Sequence, residues 1–283
     1  MNISKNGRDR EGGDILPLPP TRGTSALHAY TRASMSDLRF FSFICDTVVS
    51  SDYVAHIAKQ ALDGVKSKAK QPTELAQSAP GNRTIFLRKN SQALLEMFIA
   101  RQVDNFQKYL VDLIRQVLRS KPAMLSTKQQ SISLEDVLKH GSIESLVHDV
   151  IERRVNTLSY DGFADLQKWS EERGIQIKVA ASRRDAVVEL ISTRNVIAHN
   201  RGFVDERYLR AVKNAKFKVG ECRKIEVEEL FNALKLLNGV VFATDSAARI
   251  KFKLATVEIR PRKKPGRKKK KEAEDSQQQL PLG

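Results

Sequence analysis

Apolar positions along most of this chain recur in steps of three and four, the period of helices that bury one face. The first such run, "DLRFFSFICDTVVSSDYVAHIAKQALDGVK" from Asp37, predicts a helix with Phe41, Ile44, Val48 and Ile57 as core candidates. The segment "SKAKQPTELAQSAPGNR" reads as a loop, broken by Pro72, Pro80 and Gly81. A long helix is expected from Thr84 to about Pro122. Its stripe holds Leu94, Leu95, Phe98, Val103, Phe106, Leu110, Leu113, Ile114 and Val117.

The second half continues in the same way. Two short helices are expected on either side of Gly141, with starts at Ser133 (facing Asp136) and Ser142 (facing Ser145). "DGFADLQKWSEERGI" reads as a helix closed by Gly174. "SRRDAVVELISTRNVIAHNRG" reads as a helix with Ser182 as N-cap, running to Gly202. A short helix "DERYLRAV", a hairpin or extended turn in "FKVGECRKIEV", and a last long helix from "VEELF" follow. No period of 20–50 residues repeats, which excludes a solenoid.

The expected fold class is all-α. The expected domain layout is a disordered N-terminus over 1–34, an accessory helix and loop over 35–83, a helical domain over 84–258, and a disordered polybasic tail over 259–283.

Composition adds a partner class. Hydrophobic residues make up 41% of the 283, enough for a sizeable core. The net charge is +16, which favours a polyanion. Nine of the twelve residues from 260 to 271 are basic: Arg260, Arg262, Lys263, Lys264, Arg267, Lys268, Lys269, Lys270 and Lys271. With Glu272, Glu274 and Asp275 the stretch 260–283 carries +6, so the rest of the chain is basic too. Cys45 and Cys222 fit no metal or redox spacing and read as reduced thiols of a cytoplasmic protein. No apolar run has the length of a signal peptide core or a membrane span.

Most catalytic signatures are missing. The chain has no phosphate-binding glycine loop, no GxSxG elbow, no HExxH and no Cys/His zinc spacing, so no metal and no cofactor is expected. His148–Asp149 lacks the further ligands of a metal site, with His140 eight residues away. His28 and His56 read as ordinary surface or core residues, and Trp169 as packing beside Leu166. One histidine has promising neighbours. In "STRNVIAHNRGFVDERYL", Asn195 and His199 are four apart and share a helix face, while Arg194 sits about 140° round and can curl back. Leu190, Ile191 and Ile197 can point inward. An Arg on the rim of an apolar stripe is costly if buried without a partner, which argues for a cleft or a subunit interface.

This trio suits RNA cleavage without a metal. Histidine can act as base or acid, Arg clamps phosphate, and Asn can orient either. One histidine does not easily serve as both acid and base in one step. A two-fold dimer would supply two copies. Spacing alone is weak, since "RGTSALH" (Arg22 to His28) repeats it within a segment expected to be disordered. The context of "RNVIAHN" is what adds weight.

On these residues the chain resembles the HEPN family, whose motif is Arg, four to six residues, then His, often with Asn, Asp or His directly after the Arg. The downstream G-x-V-D and Tyr208–Leu209 pattern fits, and the resemblance spans roughly residues 84–245. It implies a HEPN-like helical bundle, here with an additional N-terminal helix and the basic tail. It also implies a homodimer with both motifs at its interface, and metal-independent endoribonuclease activity in a defence, toxin or stress system. A separate antitoxin or regulator would accompany it. The resemblance makes His199 the acid/base, Arg194 the phosphate clamp and Asn195 the positioning residue. Asn200 and Arg201 would join the tail in binding nucleic acid. Some relatives work with a nucleotidyltransferase, whose GS…DxD pattern is not in this chain, and some are non-catalytic binding modules. That second reading stays open for this sequence.

The tail is a charge signal more than a sequence signal. "PGRKKK" lacks the proline that an AT-hook needs after Gly-Arg. Such an arm contacts phosphates of RNA, and could also engage DNA, in a salt-dependent and sequence-blind way. In a eukaryotic host it would equally serve as a nuclear localisation signal.

Overall fold

The computed structural model describes residues 16–65, 71–125, 133–160 and 162–259. Among these the molecule is all-α apart from one two-residue ribbon. Its spine is α4 (Ser91–Ser120), which packs against α1 (Ser25–Leu62), α6 (Ile143–Tyr160), α8 (Ala181–Asn200) and α10 (Val227–Phe252). The expected stripe is its buried face: Leu95, Phe98, Val103, Phe106, Leu110, Leu113, Ile114 and Val117 are all interior. Only Leu94 stops at half-buried.

The N-terminal expectation needs correcting. Helix α1 starts at Ser25, twelve residues before Asp37, inside the stretch 1–34 expected to be disordered. Thr24 is its N-cap, accepting from Leu27 N–H at 3.1 Å. The Thr24 hydroxyl in turn donates to buried Asp245 of α10 at 2.5 Å. Just before it, β1 (Arg22–Gly23) pairs antiparallel with β2 (Val257–Glu258). Ala26, Leu27 and Tyr30 are buried in the main core. The short apolar set in "TSALHAYTRAS" is too sparse to show a stripe by itself; only contact with α4 and α10 makes it one.

Helix α1 is therefore part of the same core as residues 84–258, not an accessory to it. Of its expected core residues Phe41 is buried, while Ile44, Val48 and Ile57 are half-buried. The expected loop over 67–83 is partly helical. Pro72 opens α2 (Pro72–Ser78), and Gly81 precedes α3 (Asn82–Lys89). A break at Asn90 separates α3 from α4, so the helix expected from Thr84 is two helices.

The remaining elements follow the pattern closely. Ser133 caps α5 (Leu134–Lys139), and the Ser142 hydroxyl accepts from Ser145 N–H at 3.1 Å at the start of α6. Helix α6 has 18 residues, longer than the short helix expected. Gly174 lies at φ +71° past α7 (Phe163–Glu172) and lets Ile175 N–H reach back to Ser170 C=O. Trp169 is buried with Leu166. Helix α9 spans Glu206–Ala211. The segment 217–227 forms no hairpin of its own. It turns at Lys218–Glu221 and then runs against the loop after α8, through a bridge between Phe203 and Cys222, up to the start of α10. Among the described residues no helix is long and apolar enough to cross a membrane.

Candidate functional site

The motif occupies the last two turns of α8. This helix begins one residue before the expected Ser182 cap: Ala180 is the N-cap and offers no side-chain bond. Leu190, Ile191 and Val196 are buried and Ile197 is half-buried, which fixes the helix rotation. Asn195 and His199 are consequently exposed, one turn apart on the same face. Asn200 and Arg201 are exposed beside them. Arg260 and the other basic tail residues, through Lys271, lie outside the described residues.

Arg194 is half-buried and held at two points. Its Nε–H donates to Asp104 Oδ1 of α4 at 2.6 Å, and Nη1 donates to Asn195 Oδ1 at 3.2 Å. The partner that a rim arginine requires therefore comes from α4 of the same chain. The His199 ring makes no hydrogen bond or ion pair among the described residues. Arg194, Asn195 and His199 are thus gathered on one edge, with one imidazole, one guanidinium and one amide per chain.

The end of α8 is locked in place. Arg201 and Gly202 both take left-handed backbone, with φ 54° and 80°, and Gly202 N–H returns to Val196 C=O at 2.9 Å. A side chain at Gly202 would meet Glu96 of α4, whose Oε1 lies 3.0 Å from the Cβ position. The Asn200 amide donates to Phe203 C=O at 2.6 Å. Since Asp104 faces Arg194 and Glu96 faces Gly202, α4 and α8 run antiparallel along the site.

The downstream "VDERYL" supports this lock. Val204, Tyr208 and Val212 form a small core with Val196. Asp205 caps α9 by accepting from Tyr208 N–H at 2.8 Å. Buried Arg223 donates to the Tyr208 hydroxyl at 3.1 Å and pairs with Glu229 and Glu189. Burial alone would weaken the Arg223 charge; Glu229 and Tyr208 outweigh it and hold the cation firmly. Arg223, Glu189 and Glu229 also line a cavity of about 550 Å³ between α8 and α10. Glu189 is ten residues before His199, roughly 15 Å up the helix axis, so that cavity is separate from the motif.

Other histidines have structural neighbours. His148 Nε2 meets Arg119 at 3.1 Å, while Asp149 pairs with Arg153 and lies 3.6 Å from His140. His28 lies on α1 and Arg22 in β1, so that second Arg-to-His spacing is split between two elements. Among the described residues no group of three His, Cys, Asp or Glu side chains is placed to hold a metal ion. Sequence reasoning missed Asp104, Glu96 and Arg223. No local signal marks them, because each acts on a partner distant in the chain.

Comparison with family models, with curated proteins and with solved structures finds no match.

Proposed function

We propose that this chain is a metal-independent endoribonuclease of the HEPN type, with composite sites formed where two copies meet. The observation that carries the reading is the exposed pair Asn195 and His199 on one helix face, with the Arg194 guanidinium anchored at its side. His199 acts as base or acid at the ribose 2′-hydroxyl or the 5′-oxygen, and Arg194 neutralises charge on the phosphate. A single chain supplies one imidazole, so the second proton transfer falls to His199 of a second copy. The basic body and tail hold the RNA. Defence, toxin or stress biology, with a separate antitoxin or regulator, follows from the family resemblance alone.

The test is cleavage of single-stranded RNA by pure protein in EDTA, with end-group analysis. Cleavage leaving 5′-hydroxyl ends is expected, reduced about 10²- to 10⁴-fold in His199→Ala and Arg194→Ala. Both variants should melt as the wild type does. Absence of cleavage, or a His199→Ala protein as active as wild type, rejects the reading.

One observation favours a second reading, a non-catalytic binding module: Asp104 already meets the Arg194 charge. In that case His199→Ala leaves RNA retention in a gel unchanged, and truncation before Arg260 abolishes it.

A further inference from the structure

We propose that Asp104 is the positioning residue of the Arg194 clamp, holding its guanidinium plane so that the outer edge faces a phosphodiester; this rests on the ribonuclease reading above. A guanidinium carries five N–H donors in a rigid plane. Asp104 Oδ1 takes the Nε–H at 2.6 Å, and Asn195 Oδ1 takes one Nη1–H at 3.2 Å. Three donors remain: the second on Nη1 and both on Nη2. A phosphate takes two parallel N–H groups, and these fall to the Nη1/Nη2 edge, where Nη2 has no partner among the described residues. Anchors on two different nitrogens, Nε and Nη1, restrict the rotational freedom that a long arginine side chain otherwise keeps.

The alternative role for an acid here is a latch that keeps phosphate away. Charge arithmetic argues against it. The Asp104 side chain is about half exposed (49%), so its ion pair with Arg194 is well screened. A contact of that kind sets direction better than it blocks an anion. Asp104 is itself held in register. One turn before it, Arg101 is bound by buried Asp37 of α1 at 2.7 Å, and the neighbouring Asn105 amide donates to the other Asp37 oxygen at 2.9 Å. The edge of α4 that carries Asp104 is therefore clamped to α1 on one side and reaches α8 on the other.

The experiment uses the full chain with Asp104→Ala and Asp104→Asn, and reads both kinetics and the Arg194 Nε–H proton by NMR, assigned by its loss in Arg194→Lys. Expected for Asp104→Ala is a kcat lowered about 10- to 100-fold, the range that a misplaced reacting group costs, with KM within about 3-fold of wild type. Asp104→Asn keeps an acceptor for Nε–H and recovers most of the loss. The Nε–H signal broadens in Asp104→Ala, and its shift on adding inorganic phosphate disappears.

A higher kcat in Asp104→Ala makes Asp104 a latch and overturns the proposal. So does unchanged kcat, or an Nε–H signal indifferent to Asp104. If no protein cuts RNA yet the phosphate response of Arg194 depends on Asp104, the ribonuclease reading falls while the positioning role stands.

Discussion

At the scale of single residues, Gly202 shapes the helix end that carries His199. Gly202 sits at φ 80°, where a side chain is strained, and a Cβ there would lie 3.0 Å from the Glu96 carboxylate, which would have to give way slightly. We predict that Gly202→Ala lowers stability by roughly 1–3 kcal/mol in urea unfolding, the cost of such backbone strain, and weakens RNA cleavage as the end of α8 shifts. A variant as stable as wild type contradicts this. Residue types were the most legible level. Arg194, Asn195 and His199 were visible by spacing, and their shared exposure follows from the buried stripe of α8. Asp104 was invisible, because it is one polar position among many on the outer face of α4, and its partner lies 90 residues away.

At the scale of elements, one short helix owes its start to a side chain from elsewhere. Helix α3 starts at Asn82 with no cap from its own sequence. Asp52 of α1 fills that role, accepting from Thr84 N–H at 2.7 Å and from Arg83 N–H at 3.4 Å. Gly81 lets the carboxylate come close, since a Cβ there would overlap it. Burial alone would raise the Asp52 pKa. The N–H groups of Thr84 and Arg83 and the Arg83 cation outweigh that, so it lies below the ordinary carboxylate value. The native state thus favours the ionised form, and its stabilisation is complete above the unfolded pKa. It is lost as pH falls through the lowered native pKa. We predict that Asp52→Asn, which keeps an acceptor but loses the charge, costs roughly 0.3–1 kcal/mol at neutral pH, the worth of an anion at a helix N-terminus, and that the difference from wild type shrinks to nothing in acid. A difference that grows toward acid refutes it. The loop expected over this region was a fair reading of Pro72, Pro80 and Gly81, but prolines and glycines also begin helices. Whether they do is decided by a neighbour such as Asp52.

At the scale of the whole molecule, the first described residues fasten onto the last. The ribbon of β1 with β2 and the bond from Thr24 to Asp245 tie the start of α1 to α10. A chain starting at residue 35 would lose Ala26, Leu27 and Tyr30 from the core. We predict a loss of roughly 4–6 kcal/mol from that buried apolar surface, enough to leave the truncated protein largely unfolded by circular dichroism. A truncated form that melts like the full chain would show the segment to be dispensable. Residues 1–34 are polar and rich in Gly, Arg and Pro, and a few apolar residues at the end of such a stretch look the same in a disordered arm and in a helix start.

Local pattern was sufficient for what local physics controls. Period fixed the helical class, the serines at 133 and 142 fixed two helix starts, and Gly174 fixed an end. The pairing of Asn195 with His199 on one face follows from helix geometry alone. Contacts between distant segments were left to the tertiary structure: that α1 belongs to the core, that α4 and α8 run antiparallel, and that Asp104 holds Arg194. The reason is physical. A helix carries its own hydrogen bonds and shows its buried face in its spacing, whereas an ion pair across 90 residues leaves no periodic trace in either partner.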